Sequence, residues 1–197
     1  MVPQFARLAN PYGIAVYSSG GFDRVTGKRQ LGIDWASLQQ PLTILHVGDH
    51  DPSGIHIFEA VANEIIAFAE ATALRRGYTE PDIEFVRLAI TPDQATLHGV
   101  EDNGEPKHTD DRRFDYFALR CASGEDPEYV DCNPRITWQV EALPPDLLSQ
   151  IISEAIATRI DREAFAEIKA EEDKLRKTIT DKLARAEKLG PILRRPT

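Results

Sequence analysis

The segment Leu42-Thr43-Ile44-Leu45-His46-Val47 constrains the chain most, because it is a β-branched apolar run that stops at once on Gly48-Asp49-His50-Asp51-Pro52-Ser53-Gly54. A short apolar run bounded by turn residues reads as a strand buried on both faces, as in the interior of a parallel sheet. The long helical stretch after it carries Phe58, Val61, Ile65, Phe68 and Ala71 at three- and four-residue steps, and Gly77 is its natural stop. Ile83–Ile90 reads as a second strand. Thr91-Pro92-Asp93-Gln94 then opens a short helix with Thr91 as cap and Pro92 in its first position.

Upstream, residues 3–9 form a short helical piece and Asn10-Pro11-Tyr12-Gly13 a turn. Ile14-Ala15-Val16-Tyr17 reads as a compact strand running into Ser18-Ser19-Gly20-Gly21. Helical pieces are expected at Phe22–Gln30 and Asp34–Gln39, with Pro41 ending the second. Strand, helix, strand, helix, strand in this order predicts an α/β fold: a Rossmann-like parallel sheet with flanking helices. From Gly99 to about Arg135 the chain turns polar and is expected to be a long insertion with one weak strand. Ile136–Leu143 reads as a short strand. Two helices follow, one after Pro144-Pro145 and one from Arg162 to about Lys188, whose thin apolar line and many charges mark a solvated, protruding arm. The expected division is therefore an α/β domain over 1–143, with 99–135 as an insertion, and a helical extension over 144–197.

At 197 residues, 42% hydrophobic and 28% charged, the chain has ample material for a folded core. It has no apolar run of the ~18–20 residues that a membrane span needs, and no basic-then-apolar leader. A cytoplasmic protein is expected, with Cys121 and Cys132 as two free thiols in preference to the alternative of a lone disulfide. The formal net charge of −9 weighs against a stand-alone nucleic-acid binder, since phosphate neutralisation supplies most of that affinity. A partner subunit or a bound cation would have to supply the positive charge.

Asp49 and Asp51 carry the candidate chemistry. Extended geometry points side chains at i and i+2 the same way, and α/β proteins place ligands at the carboxyl ends of parallel strands. Two carboxylates held together repel unless a cation sits between them, and Mg²⁺ takes one or two carboxylates while keeping waters for substrate phosphates. Asp51 before Pro52 also serves as a helix cap, a duty Asp49 lacks by position. His50 is expected to point away from the carboxylates. Glu141 is a candidate to return to the site, although an exposed residue after a strand needs no function. Glu84 is expected to face solvent. His98 and His108 lack ligand spacing, and Arg112 and Arg113 read as part of a solvated charged loop, with contact to phosphates as the alternative.

The segment Gly48-Asp49-His50-Asp51-Pro52-Ser53-Gly54 resembles the DxDPxG motif of the Toprim domain, in the version found in the A subunit of topoisomerase VI and its meiotic double-strand-break relatives. Ile14–Asp23 resembles the strand and glycine turn that precede the motif there, and Thr137–Ile156 loosely resembles the tail of bacterial and phage Toprim-containing proteins. The resemblance implies a metal-dependent domain acting on DNA phosphodiesters by topoisomerase-like breakage or as a nuclease. Asp49 and Asp51 would be the Mg²⁺ ligands, with Mn²⁺ able to substitute, and Ser18, Ser19, Gly20 and Gly21 would approach a phosphate through backbone N–H groups. The family's third ligand is a Glu ending the first sheet strand, and no Glu occurs here before Glu59. The expectation is a chain lacking that strand and the preceding winged-helix region, which reaches DNA through a partner subunit or a missing segment, with a homodimer as a further arrangement. A metallophosphoesterase is disfavoured, because Asp51 is misplaced for GDxxD and the other motifs are absent. The rival reading is a non-catalytic, degenerate Toprim module working through its C-terminal helix.

Overall fold

The computed structural model describes residues 2–18, 24–107, 109, 112–123 and 132–193, with the backbone alone for 188–193. The protein is mixed α/β and mostly helical, with one two-stranded parallel sheet among the described residues. Two compact units are present, Met1–Ala155 and Ile156–Thr197.

In the first unit, β1 (Leu42–Val47) pairs in parallel with β2 (Ile83–Ala89), running from Leu42 opposite Ile83 to His46 opposite Arg87, with an irregularity before Val47. The ladder continues past β1, where Gly48 N donates to Ala89 O at 2.8 Å and Ile90 N to Gly48 O at 2.9 Å. Helix α3 (Pro52–Arg76) connects the strands, as parallel pairing requires. Asp51 caps it, and Gly77 ends it in the left-handed conformation (φ 67°) that glycine adopts without steric cost. Its buried stripe runs through Ile55, Ala62, Ile65, Ala69, Thr72 and Ala73. Ala71, expected in that stripe, is exposed. Small residues face the neighbour because α2 (Val25–Leu38) crosses very closely: a Cβ on Gly32 would lie 2.6 Å from Phe68 Cβ and 2.9 Å from Ala69 N. Lys28, largely buried, pairs with Glu64 across the same contact at 3.2 Å. Aromatic contacts join helices to sheet, with His46 stacked on Phe58 (centroids 4.5 Å apart) and Trp35 tilted against Phe85 at 6.2 Å.

Several expectations fail here. Ile14–Tyr17 is not a strand: the segment pairs with nothing in the sheet, and Ile14 and Tyr17 are exposed. An apolar tetrapeptide has the composition of a strand but no means of specifying a partner edge. The two helical pieces expected around residues 22–39 form one helix, α2. Ile136–Leu143 contributes only an isolated antiparallel bridge, Trp138 to His50, before a 3-10 turn at Val140–Ala142. The polar insertion holds a full helix, α5 (Arg112–Ser123), which buries Phe117 against Ile55 of α3. Its single deeply buried residue is too faint a signal for periodicity to find.

Other elements follow their local chemistry. Helix α1 (Val2–Ala9) runs into a 3-10 turn at Asn10–Tyr12 closed by Gly13, and its Gln4 side chain donates to Ser149 Oγ at 2.8 Å in α6 (Pro145–Ala157). Helix α4 (Pro92–Leu97) has a reciprocal capping box, Gln94 N to Thr91 Oγ1 at 3.3 Å and Thr91 N to Gln94 Oε1 at 3.1 Å. In the second unit, α7 (Arg162–Leu193) is capped by Asp161 Oδ1, which accepts from Glu163 N and Ala164 N at 2.9 and 3.0 Å. No described helix is long and apolar enough to cross a membrane.

Candidate functional site

The site grows from the carboxyl end of β1. The strand delivers Gly48 and Asp49 to the sheet edge, His50 is clamped by the bridge to Trp138 (N–H to O=C at 2.8 and 3.0 Å), and Asp51 begins α3. Asp51 Oδ1 accepts from Gly54 N at 2.6 Å. Gly54 is sterically required there, because a Cβ at that position would overlap the Asp49 carbonyl oxygen. The glycine of the motif therefore lets the first turn of α3 lie directly on the acidic loop.

Asp49 also has a structural duty that its position in the sequence does not reveal. Its Oδ1 accepts from Val140 N at 2.9 Å and so ties the 3-10 turn to the sheet edge. Burial raises the Asp49 pKa, the Val140 hydrogen bond opposes that rise, and the negative charges of Glu141 and Asp51 add to it. Glu141 thus comes back toward the acidic pair. The second carboxylate oxygens of Asp49 and Asp51 make no hydrogen bond among the described residues.

Behind the loop stands Arg87 of β2, which is only 5% exposed. Its Nη2 donates to the carbonyl oxygens of Gly48 at 3.2 Å, Asp49 at 2.5 Å and Ile90 at 3.2 Å. Sequence reasoning missed this residue, yet the signal was present: a lone cation within the apolar strand Ile83–Ala89 has to be paired inside. Burial, with Arg87 adding to it, lowers His46 to a pKa of about 4 and His50 to about 3. The His50 ring packs edge-on to Phe117 at 5.2 Å, and its Nε2 lies 3.4 Å from Cys132 Sγ, consistent with its expected turn away from the carboxylates. Cys132 is joined to Cys121 by a disulfide, where free thiols were expected. Helix α5 is what carries Cys121 to Cys132, and that helix was not foreseen.

A pocket of about 180 Å³ opens beside Asp51, lined also by Ser53, Glu105, Lys107, Arg113 and Trp138, so charges of both signs face it. Arg113 Nη1 lies 3.4 Å from Ser53 Oγ, so this cation borders the site. Glu84 is solvent-facing as expected, within 3.3 Å of Thr43 Oγ1. His98 and Arg112 are exposed. Ser18 is exposed, whereas Ser19, Gly20, Gly21 and His108 lie outside the described residues.

Among the described residues no three His, Cys, Asp or Glu side chains are grouped to hold a metal. A pair of carboxylates, each with an oxygen to spare, still suits Mg²⁺, which fills its remaining positions with water. The chain matches no family model, no curated protein and no solved structure.

Proposed function

We propose that the protein is a Mg²⁺-dependent Toprim-type subunit that acts on DNA phosphodiesters, in topoisomerase VI A-like breakage or as a nuclease, together with a partner subunit. The observation that carries this reading is the acidic pair at the carboxyl end of a parallel strand. Asp49 and Asp51 each keep one oxygen outside the hydrogen-bond network, and burial and like charge push the Asp49 carboxyl up. A divalent cation relieves that repulsion, and when bound it would polarise a phosphate oxygen. Mn²⁺ would serve in its place. Lys107, Arg113 and Ser53, around the pocket beside Asp51, suit a phosphate held next to that cation. The net charge of −9 accords with a chain that reaches DNA through its cation and a partner.

Calorimetry with Mg²⁺ and Mn²⁺ on the wild type, Asp49→Asn and Asp51→Asn tests this. Binding that both substitutions abolish is the expected result. A folded wild type that binds neither ion overturns the metal-dependent reading. It would favour the second one, a non-catalytic, degenerate Toprim module working through its C-terminal helix. The exposed apolar residues of α7 are the observation behind that alternative.

A further inference from the structure

Helix α7 carries Ile168, Leu175, Ile179 and Leu183, each more than half exposed. Spacings of seven and four place the first three on one seam, the d and a positions of a heptad, with Leu183 flanking it at the next e position. Ala186 continues the seam at the next a position. Between these residues, the core positions are taken by Glu172 and Lys182. A solvated helix does not require this pattern, and the stretch from Ile168 to Ala186 offers an apolar seam to a partner helix.

Charge along the same helix identifies that partner. Its first half holds Glu163, Glu167, Glu171, Glu172 and Asp173 against only Arg162 and Lys169. From Lys174 to Glu187 the balance reverses, with Lys174, Arg176, Lys177, Lys182 and Arg185 against Asp181 and Glu187. The helix dipole favours acids at the start and bases at the end, but its influence fades beyond the terminal turn. Glu171, Glu172, Lys174 and Arg176 lie more than two turns inside, so the dipole does not account for them.

We infer that α7 pairs with α7 of a second copy of this chain in antiparallel orientation, Leu175 of each facing Ile179 of the other. In that register the acidic half of one helix lies along the basic half of its mate. Ile168 meets Ala186, Glu171 on the flank faces Arg185, and the core acid Glu172 faces the core base Lys182. A parallel pair would set acid on acid and base on base. An opposed polar pair in an apolar seam costs stability relative to two leucines but fixes the register. Within its own helix Glu172 is paired with Lys169 at 3.1 Å and Arg176 at 2.7 Å, so it is already held at the seam. The inference rests on α7 alone and is independent of the acidic pair on β1.

Sedimentation of the full chain over a wide concentration range is the first test, with a concentration-dependent dimer expected. Leu175→Ala with Ile179→Ala should weaken the dimer about tenfold or more. Glu172→Lys and Lys182→Glu should each weaken it, and the doubly swapped chain should recover most of the loss. A spin label at Glu167→Cys should report a distance of about 30 Å or more between copies in the antiparallel register, set by the axial offset of Glu167 from its counterpart, against a clearly shorter one for an in-register parallel pair. Circular dichroism confirms that each variant remains helical. A monomer at every concentration overturns the inference, whatever then covers the seam. So does a dimer indifferent to Leu175 and Ile179, a charge swap without recovery, or a short label distance.

Discussion

The Asp49 carboxylate accepts a hydrogen bond from the backbone N–H of Val140 at 2.9 Å, across 91 residues. It makes one side chain both a candidate metal ligand and the tie that holds the 3-10 turn at the sheet edge. The two roles respond differently to substitution.

Asp49→Asn keeps an acceptor for Val140 and removes a charge whose burial and like-charged neighbours raise its pKa. A carboxyl with a raised folded pKa destabilises the fold above that pKa, and the penalty disappears as pH falls to the unfolded value. Asp49→Asn should therefore be as stable as the wild type or more so at neutral pH, with the difference vanishing in acid, while Asp49→Ala loses about 1–3 kcal/mol. Urea titrations at two pH values separate these outcomes. Mg²⁺ affinity of the wild type should rise with pH through the raised Asp49 pKa.

Gly54→Ala should cost about 1–3 kcal/mol although alanine favours helices, because its Cβ would overlap the Asp49 carbonyl oxygen. Thermal unfolding measures the loss. A neutral or stabilising result would show that the first turn of α3 can move off the acidic loop.

Acid should destabilise the fold through its two buried imidazoles. His46 and His50 have folded pKa values of about 4 and about 3, well below the ordinary 6.5. Stability is therefore full above pH 6.5 and falls as pH drops toward 4, because the unfolded chain takes up protons that the folded one refuses. For His46 the loss is on the order of 3 kcal/mol. His46→Phe, which keeps the stack on Phe58, should flatten that part of the pH profile in denaturant titrations.

Arg87→Met should cost about 3 kcal/mol or more, because the carbonyls of Gly48, Asp49 and Ile90 lose a shared charged donor. Hydrogen exchange should show the Gly48–Asp51 loop opening before the rest of the sheet.

Thiol titration of the unfolded, unreduced protein should find no free cysteine, since Cys121 and Cys132 are bonded. Reduction should lower stability by about 2–3 kcal/mol, as expected for opening a loop of this length.

Local signals in the sequence determined β1, β2, α3 and the caps of α3 and α4. An unbroken apolar run, a helical stripe, Asp51-Pro52 and Thr91-Pro92 each act within a few residues. The acidic pair was legible for the same reason: it stands where a buried strand ends. Tertiary structure decided what depended on distant partners. Ile14–Tyr17 found no sheet edge, Ile136–Leu143 gave a single bridge and a turn, and α5 formed around one buried Phe117. Arg87 beneath the loop is likewise a product of packing, and packing is what brings Glu141, a candidate already in the sequence, near Asp49. Periodicity records which face of an element is buried, but not which backbone group, up to 91 residues away, will complete a hydrogen bond there.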